Sequence, residues 1–221
     1  MYKVAIVGAG VWAQNHMTGW RARDDVQVVS VVRSSEDRAK QTAQRWGVPE
    51  WSGDYKSAIA RPDIDIVDIC LPHDMHASVA CEALEAGKHV VLEKPVAATL
   101  EEARRLAETA RRADRRVMVS ENWIYAWVVQ KAKAVIDGGE IGDPFLVRST
   151  MEMDVRPSFQ GLGWRHDPAK MGGGALIDGH IHAISAARYL MGEIAEVSAV
   201  VKNHHFDGIA PLEDTSVLLC K

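Results

Sequence analysis

Cysteine is scarce: Cys70, Cys81 and Cys220 are the only three in 221 residues. They are odd in number, far apart and never in a C-x-x-C spacing, which excludes a disulfide framework and a thiolate metal site. Cys70 lies in the apolar run 64–71 and Cys81 in an apolar helical pattern, so both read as buried apolar thiols. Positive charge is not in excess either. Lys and Arg number 26 against 30 Asp and Glu, leaving no general positive field for a nucleic acid or an anionic membrane. The arginines of 104–116 interleave with Glu101 and Glu108 at helical i,i+4 spacing and read as a solvated helix face. No apolar run is long: Val4 to Val11 is interrupted by Gly8 and Gly10, well short of a signal peptide or membrane span. A cytoplasmic protein is expected. The nine histidines lack both the i,i+4 His pairing and the Cys partners of a zinc site, so no metal is expected. Internal repeats and low-complexity segments are absent as well.

What the sequence does have is alternation. Short β-branched runs at Lys3–Val7, Val26–Val32, Ile64–Cys70, His89–Leu92 and Val117–Ser120 alternate with helical patterns around 11–21, 35–46, 75–85 and 100–112. That order predicts an α/β fold, a doubly wound parallel sheet over residues 1–121. After Ser120 the texture changes. A helix around 129–137 ends at Gly138-Gly139, a strand pattern covers Phe145–Met153, a Pro/Gly/Trp-rich loop covers Arg156–Met171, and a helix runs from about Gly174 to Met191. Two strand patterns, Glu196–Lys202 and Thr215–Cys220, follow with no helix between them, so residues 122–221 read as an incomplete α+β domain.

The first strand runs into Gly8-Ala9-Gly10-Val11-Trp12-Ala13, a G-x-G-x-x-A turn that opens a helix. In such a turn one Gly permits the bend, the next lets backbone approach a pyrophosphate, and the small third residue lets helix and strand pack closely. The helix N-terminus then faces the negative charge, so a dinucleotide is expected here. NAD-binding domains usually end the second strand on an acid that binds the adenosine ribose. Here the strand ends Val32-Arg33-Ser34-Ser35. Arg33 removes the carboxylate that would repel a 2′-phosphate and supplies a planar cation, favouring NADP over NAD. The competing reading makes Arg33 a surface residue and gives the ribose to Glu36 or Asp37.

Three further segments resemble the Gfo/Idh/MocA family, the glucose-fructose oxidoreductase and inositol dehydrogenase group. Leu71-Pro72-His73-Asp74-Met75-His76 is similar to the family's P-N-x-x-H turn, with His73 in the Asn place. Glu93-Lys94-Pro95, after Gly87–Leu92, matches its most specific tripeptide. Trp164-Arg165-His166-Asp167-Pro168 precedes Gly172-Gly173-Gly174, Asp178 and His182. The resemblance implies an NAD(P)-dependent oxidoreductase acting on a hydroxyl carbon of a sugar or polyol. It adds Leu71, Pro72, His76, Glu93 and Lys94 to the cofactor-binding Gly8, Gly10, Val11, Trp12, Arg33 and Ser34, with Arg33 in place of an acid a departure from the family, and it implies catalytic roles for Lys94, His182 and Asp178. Asp178 and His182 are four apart on an expected helix, so both project from one face, the carboxylate orienting the ring, while His180 points away. His182 is then the proton acceptor as hydride leaves the same carbon, and Lys94 stabilises the alkoxide. The two could exchange roles. Trp164 and Arg165 are expected to line the substrate pocket, with core packing the alternative for Trp164. Pro95 is a candidate for a cis bond.

The family's substrate domain normally continues beyond the place where this sequence stops, inside the strand pattern ending at Cys220. Three strands are few for a stable sheet, and 215–220 carries no charge to guard an open edge. A fragment or truncated form is therefore expected, with a homo-oligomer formed through the second region. A non-catalytic dinucleotide-binding sensor of the same fold is the alternative function; it would be expected to lack the Lys or the His.

Overall fold

The structure is a computed structural model that describes residues 1–154 and 163–221 and divides into two units, Met1–Ser120 and Glu121–Lys221. In the first unit six strands, β1 (Tyr2–Val7), β2 (Val26–Val32), β3 (Glu50–Ser52), β4 (Ile66–Ile69), β5 (His89–Leu92) and β6 (Val117–Val119), form one sheet. All pairs are parallel, in the order β3-β2-β1-β4-β5-β6. Five helices connect them: α1 (Val11–Arg21), α2 (Glu36–Trp46), α3 (Tyr55–Ile59), α4 (His73–Glu85) and α5 (Leu100–Ala113). This is the doubly wound Rossmann order, in which the chain reverses its direction of growth between β1 and β4.

Side chains alternate across the sheet, and each face is covered. Val4 and Ile6 point to one side, where Ala13, Met17, Ala43 and Trp46 of α1 and α2 pack on them. Ala5 and Val7 point to the other, into a core completed by Val79, Leu84 and Leu106 of α4 and α5. Burial on both faces is why these strands read as continuous apolar runs. The helix starts are written locally. Ser35 caps α2 by accepting from the Arg38 N–H, and Thr99 forms a reciprocal capping box with Glu102 on α5, satisfying donors that a helix start leaves free.

In the second unit a 3₁₀ turn (Trp123–Tyr125) precedes α6 (Trp127–Asp137). The 3₁₀ turn Gly163–His166, α7 (Pro168–Met171), a π-helical turn (Leu176–His180) and α8 (Ile181–Met191) come next. Strands β7 (Val197–Lys202) and β8 (Thr215–Cys220) form an antiparallel pair. Met171 and Ile209 make a small core with Trp164, Phe206 and Leu212. Three expectations are corrected. Residues 145–153 are not a strand; a strand exists by pairing, and the described strands of this unit pair only with each other. The expected helix 174–191 opens with one π turn, so its pitch changes at Ile181. Of the expected loop 156–171, residues 156–162 lie outside the described residues, and 163–171 are largely helical.

Candidate active site

Gly8 and Gly10 are glycine for different reasons. Gly8 has φ +88°, and a Cβ on it would overlap the backbone carbonyl of Cys70 at the end of β4, so the fold itself requires it. Gly10, the N-cap of α1, has ordinary extended backbone, and a Cβ there would meet nothing within 4 Å. Nothing among the described residues demands glycine at this place, and the space it leaves open fits a group brought close to the α1 N-terminus. Ala13 is fully buried between helix and sheet, as the small third position requires. Val11 and Trp12 are 72% and 49% exposed on the first turn of α1, an apolar surface that suits a bound dinucleotide.

At the carboxyl ends of β4 and β5 lies a charged cluster on the same side of the sheet. His16 of α1 places Nδ1 2.8 Å from Asp68 Oδ1 and Nε2 3.0 Å from Glu93 Oε1. Trp20 donates to Asp68 Oδ2 at 2.6 Å. Burial pulls the His16 pKa down, but hydrogen bonds with Asp68, Cys70 and Glu93 outweigh it and hold the pKa up at about 12; the ring is an imidazolium donating from both nitrogens. Burial above all pushes the Cys70 thiol up to about 12, so it is not a thiolate. His16, Asp68 and Cys70 are close enough to suggest a metal site. However, two ligands on one tetrahedral zinc stand about 3.4 Å apart, and the 2.8 Å between His16 and Asp68 is a hydrogen-bond distance.

Glu93 is held at both oxygens, since Oε2 accepts the backbone N–H of Lys94 at 3.0 Å. Lys94 is buried, and the Lys94–Pro95 bond is cis, as the sequence had suggested it could be. His76, expected among the cofactor-binding residues, is fully buried, with its ring nitrogens at 2.6 Å from the Pro95 carbonyl and 2.9 Å from the Leu71 carbonyl. Burial lowers its pKa. Its ring ties the Leu71-Pro72 turn at the start of α4 to the Glu93-Lys94-Pro95 turn.

Arg33, after β2, donates to Thr42 Oγ1 at 3.1 Å, and its pKa is lowered by burial and by the charges of Arg38 and Arg45. Three guanidiniums therefore share this corner. Ser34 follows Arg33 in the same turn. Glu36, the competing ribose ligand, already accepts the Gly53 N–H.

In the second unit the expected Asp178–His182 pair does not form. Asp178 pairs with Arg165, both nearly buried. His182 Nδ1 lies 2.6 Å from Oε2 of Glu121, and Trp123 stacks on the ring at 5.3 Å and 10°. The π turn ends between Asp178 and His182, so counting four residues of α-helix across it misplaces the carboxylate. His180 goes to Ser216 Oγ at 3.0 Å, on β8. Arg165 lies over the Trp164 ring, and Trp164 packs on Met171 and Ile209, which favours the core reading of Trp164. The glycine run has its own cause. The Glu213 carboxylate accepts from the N–H groups of Gly174 and Leu176 at 3.0 Å, and a Cβ on Gly174 would overlap the Glu213 backbone.

Sequence reasoning missed His16, Asp68, Glu121, Trp123 and Glu213. Glu121 did leave a signal, an acid at the carboxyl end of the last strand of an open sheet, where functional side chains gather.

Residues 2–121 match the profile described as an oxidoreductase family, NAD-binding Rossmann fold, and residues 129–221 match the GFO/IDH/MocA C-terminal domain. The chain belongs to the Gfo/Idh/MocA family. Among its relatives, levoglucosan dehydrogenase of Pseudarthrobacter phenanthrenivorans is 34% identical over 209 residues, covering 90% of this chain and 53% of the relative. D-glucoside 3-dehydrogenase of Escherichia coli is 32% identical, covering 94% and 58%. The chain thus spans just over half the length of these two family members. A levoglucosan dehydrogenase structure in complex with NADH and levoglucosan superposes with a TM-score of 0.88 at 28% identity, covering 100% of this chain and 63% of that one. No helix among the described residues is long and apolar enough to cross a membrane.

Proposed function

We propose that the chain is the cofactor-binding and catalytic portion of an NAD(P)-dependent oxidoreductase acting on a hydroxyl carbon of a sugar or polyol. The observation that carries this reading is the open space over Gly10 at the α1 N-terminus. It lies in the same unit as the Glu93-Lys94-Pro95 turn and at the point where the strand order reverses, the usual ligand crevice of such sheets. Gly8, Gly10, Val11, Trp12, Leu71 and Pro72 would hold the dinucleotide, with Glu93 and Lys94 at its nicotinamide end. When bound, the nicotinamide supplies a two-electron hydride acceptor. Lys94 stabilises the developing alkoxide charge, and His182 takes the hydroxyl proton. The sugar or polyol class is supported by relatives named levoglucosan dehydrogenase, D-glucoside 3-dehydrogenase and myo-inositol 2-dehydrogenase. NADP over NAD is supported by Arg33 beside Arg38 and Arg45, and by the engagement of Glu36 with Gly53.

Self-association through the second unit is supported by β7, which is exposed along its whole length, and by Val217 and Leu219 of β8, 67% and 73% exposed. Apolar strands of this kind are normally covered. A panel of sugars and polyols with each dinucleotide, followed at the reduced-nicotinamide absorbance, tests the function. Turnover of at least one is expected; no turnover, together with no dinucleotide binding, overturns the proposal.

A further inference from the structure

The Glu121 carboxylate is fixed from two sides. Its Oε1 accepts the backbone N–H of Trp123 at 2.9 Å, closing the turn that starts the second unit. Its Oε2 faces His182 Nδ1 at 2.6 Å, and both side chains are only 15% exposed. A carboxylate that is already accepting a backbone N–H offers the ring only acceptor oxygens, so Nδ1 must carry the hydrogen. That leaves the lone pair of neutral His182 on Nε2. Trp123, stacked at 10° on the same ring, holds its plane. The 3₁₀ turn that carries Trp123 is in turn tied down by Gln130 of α6, which donates to the Ile124 carbonyl and to Tyr189 Oη on α8. The ring is thus set in plane by Trp123 and in tautomer by Glu121, the latter 61 residues away in sequence.

We infer that Glu121 is the positioning residue for His182, with Trp123 as its clamp. It leaves Nε2 as the ring atom able to accept the substrate hydroxyl proton. Asp178 pairs with Arg165 and does not orient this ring. The chemistry balances: the substrate O–H proton would pass to Nε2, giving an imidazolium whose Nδ1–H stays on Glu121, the freed O–H electron pair would close the C=O bond, and the C–H pair would leave as hydride, for which a bound nicotinamide would be the acceptor. This deepens the oxidoreductase reading and rests on it.

The test uses the whole protein labelled with ¹⁵N at histidine, with the His182 signal identified by its loss in His182→Asn. Long-range ¹H–¹⁵N correlations should report the Nδ1–H tautomer in the parent. In Glu121→Ala the tautomer should mix or reverse, and kcat should fall about 10²-fold while dinucleotide affinity stays within about threefold. Glu121→Asp should recover part of both, which a merely structural glutamate would not do. An unchanged tautomer in Glu121→Ala, or kcat within about threefold of the parent, overturns the inference. Failure of the underlying reading looks different: the parent itself would turn over none of the sugars and polyols and bind no dinucleotide. If His182→Asn is inactive and Glu121→Ala is not, the oxidoreductase reading stands and the role of Glu121 falls.

Discussion

His16 Nδ1 and Asp68 Oδ1 stand 2.8 Å apart across 52 residues of sequence, joining the helix after the glycine turn to the end of β4. With Glu93 on the other ring nitrogen, the imidazolium sits between two carboxylates, one of them on the fully buried Asp68. Replacing His16 by Ala should destabilise the protein by about 3–5 kcal/mol, because it strands buried negative charge. Denaturant unfolding measures this.

The same ring gives a pH signature. Its folded pKa is raised, from 6.5 to about 12, so its contribution to stability is fully present below the unfolded value and is lost as pH rises toward the folded one. The stability gap between the parent and His16→Gln, measured by urea at about pH 6 and about pH 9, should shrink at the higher pH. A gap that widens contradicts a charged His16.

Gly8→Ala and Gly10→Ala should separate folding from binding. The first forces a Cβ onto the Cys70 carbonyl at φ +88° and should cost about 2 kcal/mol or more of stability. The second meets nothing, so the thermal midpoint should hardly move, while dinucleotide affinity drops about tenfold or more by calorimetric titration. Equal affinity in the Gly10 variant would remove the argument for a pyrophosphate there.

NADP should bind more tightly than NAD, and Arg33→Asp should reverse the order. A charge-assisted hydrogen bond to a 2′-phosphate is worth roughly 1.5–3 kcal/mol, about ten- to a hundredfold. Equal affinities in the parent protein would count against the arginine corner as a phosphate site.

Lys94→Ala should lower kcat by about 10²–10⁴-fold, with a far smaller change in dinucleotide affinity, because its assigned work is done in the transition state. Steady-state kinetics on the best substrate of the panel decide it, and a near-parental kcat would rule the assignment out.

The first unit was legible because its information is local. Buried parallel strands make unbroken β-branched runs, caps such as Ser35 and Thr99 sit where helices begin, and the glycine turn follows the first strand. Only β3 and α3, three and five residues long, were too short to leave a period. The second unit was harder because its decisive contacts are distant. Residues 145–153 have a strand pattern, but a pattern does not supply a partner. The Asp178–His182 pair follows from ideal helix spacing, and the π turn breaks that spacing. Glu121 reaches His182 over 61 residues, and Glu213 reaches Gly174 over 39, relations that no window of neighbouring residues contains.

That last contact explains the glycine run. A glycine run leading into a helix invites comparison with phosphate cradles, whose backbone N–H groups grip an anion. Here the protein's own Glu213 carboxylate takes the N–H groups of Gly174 and Leu176. These N–H groups are therefore already taken and do not form an open anion cradle. The glycine run is thus an internal joint, fastening the segment that opens the π-helical turn to the residue two places before β8.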